Sequence, residues 1–232
     1  MDTVKKYFKY LICLVLLLSS TFTYYKVEAA TGIILTFTDN SIQETVSGSG
    51  YIINGTTLEI NKAGTYRIKG SCSDGNIEVK KGTRNVVLVL DNLYLASTKT
   101  APIVVKKDGA SVTIKTIGST TLIDNENPEN EFSSDPNIAD LYEGAVIKVK
   151  SESSLTLEGT GSLNVIGNSK NGIKGGQGST ITINSGVINI VAANSGLACD
   201  DEIIINNGII SIEAQNEGVK LDSVLTLIAA PS

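Results

Sequence analysis

The sequence predicts an all-β protein, a single-stranded parallel β-helix closed at its N-terminal end by a β cap. Three observations carry that expectation. From Gly161 to Ile228 the chain repeats itself at a period close to 22 residues. Each pass holds three short hydrophobic-polar-hydrophobic triplets, which put the outer two side chains on one strand face and the middle one on the other. Gly, Asn and Ser punctuate the triplets, and no segment needs to be helical.

In register, the first pass reads Gly172-Ile173-Lys174, Ile181-Thr182-Ile183 and Gly186. The second reads Gly196-Leu197-Ala198, Ile203-Ile204-Ile205 and Gly208, and the third Gly218-Val219-Lys220 and Leu225-Thr226-Leu227. A further triplet recurs as Leu163-Asn164-Val165, Ile188-Asn189-Ile190 and Ile210-Ser211-Ile212. Like should therefore stack on like with rungs about 4.8 Å apart. Ile181, Ile203 and Leu225 are expected to form one interior ladder, and Leu163, Ile188 and Ile210 another. An antiparallel sandwich would instead put hairpin turns between strands, whereas here the spacing repeats across three strands.

Residues 1–29 read as a signal peptide. Lys5, Lys6 and Lys9 precede the apolar run Leu11 to Leu18, and Val27-Glu28-Ala29 offers small residues for cleavage. Eight apolar residues fall short of the about 20 a membrane span requires, so the protein is expected to be secreted, extracellular or held at the cell surface. No later stretch is apolar enough to cross a membrane. Removing the leader leaves 15 basic and 22 acidic residues of the original 19 and 24, a net charge of −7. That balance argues against nucleic acid, whose phosphates call for a basic face. Of the cysteines, Cys72 and Cys199 would lie several rungs apart, beyond disulfide reach, and are expected as free, buried thiols.

Residues 30–70 form the expected cap. Strands are read at Ile33 to Phe37, Tyr51 to Ile53, Leu58 to Ile60 and Tyr66 to Ile68, with turns at Gly48-Ser49-Gly50, Asn54-Gly55 and Ala63-Gly64. Such a segment covers the apolar floor and unpaired backbone of a first rung. Rungs fill residues 71–232, through Ile77 to Val79, Val86 to Leu90, Ile103 to Val105, Val112 to Ile114, Val146 to Val149 and Leu155 to Leu157. One acidic loop, 124–142, interrupts them with Asp124, Glu126, Glu129, Glu131, Asp135 and Asp140; Pro128 and Pro136 argue against regular structure there. The last pass ends at Ala229-Ala230-Pro231-Ser232 with no closing segment, which reads as a truncated C-terminus.

The chemistry on offer is narrow. With no histidine, Ser-His-Asp and Cys-His catalysis and histidine zinc sites are excluded. Tryptophan is absent too, and only Phe37, Tyr51, Tyr66, Tyr94, Phe132 and Tyr142 remain as aromatics after the leader. A flat stacking platform for crystalline cellulose is therefore poorly supplied. Hydrogen bonding from turns rich in Asn and Asp suits this composition better.

Seven pieces in order carry a family resemblance: Ile34 to Asp39, Ala63 to Tyr66, Ser73 to Ile77, Val87 to Asp91, Ala101 to Ile103, Pro136 to Ala139 and Gly159 to Leu163. Together they resemble bacterial secreted carbohydrate-binding domain proteins of the β-helical cellulose- and acid-sugar-binding type. The resemblance implies a right-handed parallel β-helix, related in architecture to calcium-dependent pectate lyases, that binds plant-type polysaccharides with calcium along its side. The family repeat reads Asn-Asp-Gly-Ile followed by Lys-Asp-Asp, and its acids are the implied calcium ligands. Cys199-Asp200-Asp201 matches the second half, as does Asp222 one rung on. Asn171, Ser195 and Glu217 replace the Asp before Gly, and Gly175-Gly176 replaces the acids of the first rung.

Calcium takes six to eight oxygens at about 2.3 to 2.6 Å. Asn194, Asp200, Asp201, Asn216, Glu217 and Asp222 fall at turns of adjacent rungs and are the expected metal ligands; the alternative is that these residues are turn formers and stacked Asn ladders that need no metal. The function expected is non-catalytic binding of cellulose or polygalacturonate by a monomer, assisted by calcium, with no catalytic residue and no sugar-binding set singled out. One alternative is a calcium-dependent polysaccharide lyase, in which Lys174 or Lys220 beside the acidic turns would act as base. The other is a scaffold or adhesin whose rungs serve as a stiff spacer.

Overall fold

The structure, a computed structural model, describes residues 32–228. The expected signal peptide and the four C-terminal residues lie outside the described residues. In chain order the strands are β1 (Ile33–Phe37), β2 (Ile42–Val46), β3 (Tyr51–Asn54), β4 (Thr57–Ile60), β5 (Gly64–Cys72), β6 (Asn76–Val79), β7 (Val86–Ser97), β8 (Ile103–Val105), β9 (Ser111–Ile117) and β10 (Ser119–Asp124). After an insertion come β11 (Ala145–Val149), β12 (Ser154–Gly159), β13 (Ser162–Gly167), β14 (Asn171–Gly175), β15 (Thr180–Ile183), β16 (Val187–Ala192) and β17 (Ser195–Cys199). The chain closes with β18 (Glu202–Ile205), β19 (Ile209–Ala214), β20 (Glu217–Leu221) and β21 (Val224–Leu227).

These strands wind into a parallel β-solenoid of about six turns, one strand per face on each full turn. The first face stacks β5, β7, β9, β12, β15, β18 and β21; the second stacks β7, β10, β13, β16 and β19. β7 belongs to both because it runs around their corner, its first half paired with β9 and its second with β10. The third face runs β3, β4, β6, β8, β11, β14, β17, β20. Antiparallel pairing among these strands is confined to the N-terminal end, in β1 with β2 and β3 with β4. β4 and β5 already stack in parallel on β6 and β7, so the parallel winding begins inside the segment expected as cap.

The triplets dictate this winding. On the first face Tyr66, Leu88, Ile114, Leu157, Ile183, Ile205 and Leu227 stack in one inward row. Ile181, Ile203 and Leu225 form the expected ladder beside it, and Leu163, Ile188 and Ile210 the one on the second face. The third face contributes Leu58, Ile77, Ile103, Ile147, Ile173 and Leu197. From Leu58 to Leu197 this row is fully buried, and burying each such side chain is worth about 1.5 to 3 kcal/mol. The last described strand is open at its free end, with Leu227 67% exposed.

Where two faces meet, the backbones come too close for a side chain. A Cβ on Gly172 would lie 2.4 Å from Ile190 Cγ2, and one on Gly196 would lie 2.2 Å from Ile212 Cγ2. Gly172 and Gly196 are thus close-packed corner residues, whereas a Cβ on Gly218, on the last described rung, would meet nothing within 4 Å. Tyr66 closes the N-terminal end, its ring edge-on to Tyr51 at 6.1 Å and its hydroxyl donating to the carbonyls of Gly50 and Lys62, both at 3.0 Å. Cys72 and Cys199 are free and buried, as expected.

Candidate functional site

The outward residue of each third-face triplet repeats too, and one stretch of that outer row is basic. Val104, Lys148, Lys174 and Ala198 stand side by side on β8, β11, β14 and β17. The insertion rises beside this row. Between β10 and β11 the chain takes residues 125–144, where the corresponding links of the next turns take only 168–170 and 193–194.

Buried carboxylates tie the neck of the insertion. Glu126 accepts from the backbone N–H groups of Glu143 at 2.8 Å and Gly144 at 2.9 Å, one on each carboxylate oxygen. Asp124 accepts from the Glu126 N–H at 2.8 Å and from the Ser169 hydroxyl. Outside this neck the insertion is a 3-10 turn, Pro128–Phe132, and a short helix, α1 (Pro136–Ala139), capped by the side chains of Asn127 and Asp135. The expectation that Pro128 and Pro136 argue against regular structure is corrected here. Each sits at the start of a helical turn, where its missing N–H has no partner to lose.

Insertion and row together enclose a cleft of about 260 Å³, walled by Glu131, Tyr142, Glu143, Lys148, Lys170, Asn171 and Lys174. Lys170 pairs with Glu131 across it, Lys174 pairs with Asp200, and Lys150 pairs with Glu143 at 2.7 Å. Lys148, half-buried between them, is in no ion pair among the described residues. Burial pulls its pKa down, opposed by the Glu143 carboxylate and reinforced by Lys150 and Lys174.

Glu126 is pushed up to about 8, chiefly by burial and further by Asp124 and Glu143, against the two N–H donors. Burial also raises Asp124, so the neck holds a proton near neutral pH. Tyr142 is pushed up to about 12 by burial and stays a neutral phenol. Its Oη is buried and has no hydrogen-bond partner among the described residues. The cleft thus offers one unpaired ammonium and two paired ones, with the Glu131 and Glu143 carboxylates among its walls. That set suits an acidic, hydroxyl-rich ligand.

The residues expected to hold calcium do not form one donor set. Asn194, Asn216 and Glu217 lie at the start of β17 and β20, whereas Asp200, Asp201 and Asp222 lie beyond the end of those strands. A five-residue strand at roughly 3.3 Å per residue keeps the two groups on the order of 15 Å apart, far beyond shared coordination. The amides instead form a ladder, Asn194 donating to Asn171 at 3.1 Å and Asn216 to Asn194 at 3.2 Å. Glu217 accepts from Ser195 at 3.4 Å and lies 3.5 Å from Lys220, while Asp200 neutralises Lys174. Among the described residues no three acidic, His or Cys side chains group closely enough to hold a metal.

Lys148, Lys170 and Tyr142 were not singled out by the sequence. Lys148 was within reach: it is the outward residue of Ile147-Lys148-Val149, in register with Lys174, which the repeat did mark. Lys170 and Tyr142 enter only through the fold of the insertion.

Comparison with known proteins bears on this geometry. The profile of the carbohydrate-binding domain-containing protein family matches residues 54–224. A carbohydrate-binding domain-containing protein of Acetivibrio thermocellus is 31% identical over 158 residues, 66% of this chain and 51% of the relative. The chain therefore spans about half the length of that curated relative. Among solved structures, a polysaccharide lyase-like protein from C. thermocellum superposes with a TM-score of 0.56 over 84% of this chain and 96% of the other, at 23% identity. That last likeness is one of fold.

Proposed function

Since the chain belongs to the carbohydrate-binding domain-containing protein family, we propose that it binds acidic polysaccharide without cleaving it, with the chain of sugars laid into the cleft over Lys148. The observation that carries this reading is the convergence of Lys148, Lys170 and Lys174 on one cleft in a chain with no tryptophan. Ammonium groups recognise carboxylates spaced along a polyuronate, and neutral cellulose offers them nothing comparable. Polygalacturonate is therefore the ligand put forward over cellulose. The leader read at residues 1–29 supports binding outside the cell.

A resident calcium is not needed, because the lysines supply the positive charge that a bridging ion would supply, and the six turn residues are too dispersed to hold one ion. Lys148 is held toward its neutral form by burial, the property a lyase base requires, so the test must read chemistry as well as binding. Retention of the protein on immobilised polygalacturonate and on cellulose is compared in calcium and in chelator, with absorbance of unsaturated uronate products followed in parallel. The expected result is retention on polygalacturonate in both buffers, less on cellulose, and flat absorbance. Rising absorbance would make the cleft a lyase site. Retention lost in chelator would restore calcium to the account, and no retention on either polymer would favour the scaffold reading.

A further inference from the structure

The two paired lysines of the cleft differ in where their partners come from. Asp200 sits in the turn after β17, on the rung next to Lys174, and is part of the stacked wall. Glu131 reaches Lys170 from the 3-10 turn of the insertion, 39 residues earlier in the chain. That turn buries none of its own residues, and its Phe132 is 80% exposed. With none of the turn's residues buried, the ion pair with Lys170 is the side-chain contact that sets the Glu131 carboxylate over the cleft.

Both side chains of the pair stay about a third exposed, 37% for Lys170 and 36% for Glu131. An ion pair so open to water favours its closed form by at most about fivefold. A second carboxylate of suitable reach can therefore take its place at little cost. A hydroxyl cannot, because it would leave Lys170 without an anion and Glu131 without a cation.

Resting on the reading of the cleft as an acidic-sugar site, we propose that Glu131 is an internal competitor for the ligand: its carboxylate occupies on Lys170 the position a ligand carboxylate takes. Acidic chains enter by exchange, one ion pair forming as another breaks. Neutral chains meet a closed pair and gain nothing by opening it. Once displaced, Glu131 faces a polyanion, and its repulsion limits affinity for the very ligand the lysines attract.

The test is a calorimetric titration of trigalacturonate and of cellotriose into the parent, Glu131→Gln, Lys170→Gln and the double variant. Glu131→Gln is expected to tighten trigalacturonate about three- to fivefold, the scale of one exposed pair, and to leave cellotriose unchanged. In the Lys170→Gln background the same substitution should give no comparable gain. A Glu131 that merely braces the insertion predicts the reverse, with weaker trigalacturonate binding on its removal, and that result overturns the proposal. So does an equal gain for both sugars, or no gain at all, while Lys148→Gln still weakens trigalacturonate. If Lys148→Gln and Lys174→Gln both bind trigalacturonate like the parent, the cleft is not the sugar site and both readings fall together.

Discussion

In the row that runs from Leu88 through Ile114, Leu157 and Ile183 to Ile205, each side chain repeats the one on the rung below. In the insertion at 125–144 the repeat is broken, and the links at 168–170 and 193–194 have no counterpart to Glu126, Glu131 or Tyr142. The row is redundant and apolar. The insertion supplies single-copy groups, charged or hydroxylated, including carboxylates buried at a cost that burial of apolar rungs must offset. The difference teaches where to look in a solenoid: stacking provides the stability, and the departure from stacking provides a shaped site.

The largest effects should come from breaking the row. Ile183→Asp puts an unpaired charge at a fully buried position and is expected to abolish soluble folding, since losing a buried Ile side chain alone costs about 2 to 5 kcal/mol and the charge adds to that. Ile205→Asp, one rung on and only half-buried, should cost clearly less. Expression yield and urea unfolding of the two variants would check this, and equal losses would contradict the graded burial of the row.

Next comes the neck of the insertion. Glu126 ionises near 4.5 in the unfolded chain and near 8 in the native one, so between those values the native state binds more protons. Its contribution to stability is full below about pH 4.5 and is lost as pH rises through 8, a change on the order of a few kcal/mol. Thermal melts from pH 5 to 9 should decline, and Glu126→Gln should flatten the decline; an unchanged slope in the variant would assign it to other groups.

Smaller again is the corner. Gly172→Ala forces a methyl against Ile190 Cγ2 and the Gly196 carbonyl oxygen, at 2.4 and 2.5 Å, and overpacking of this kind costs about 1 to 3 kcal/mol. The least is expected from the amide ladder, where Asn194→Ala removes hydrogen bonds worth about 1 kcal/mol. Denaturant midpoints would rank the two, and a reversed order would make the amide ladder more important than the packed corners.

The winding was legible because its cause is local and repeated: Ile181, Ile203 and Leu225 announce one another at fixed spacing. β10 was missed at Ser119 to Asp124, where Thr120 replaces the inward aliphatic residue and the acidic loop appears to the eye as beginning at Asp124. β2 was missed because its Gln43 to Val46 face solvent and carry no inward pattern. The site was far less legible. Lys148 and Lys174 share a register that the sequence displays, but Lys170 meets Glu131 only because Glu126 folds the neck back onto the N–H groups of Glu143 and Gly144, a contact across 17 and 18 residues with no periodic signature. The turn residues expected as calcium ligands fall into two groups that the sequence does not announce, because a strand separates Asn194 from Asp200.

The account stands most directly on Lys148, the one cleft cation without a carboxylate partner among the described residues. Trigalacturonate titrated into the parent and into a Lys148→Gln, Lys174→Gln double variant of unchanged melting temperature gives the test. Each lost charged hydrogen bond is worth about 1.5 kcal/mol or more, so the double variant should bind at least about 100-fold more weakly. Parent-like affinity in the folded double variant would contradict the account and move the sugar away from this cleft.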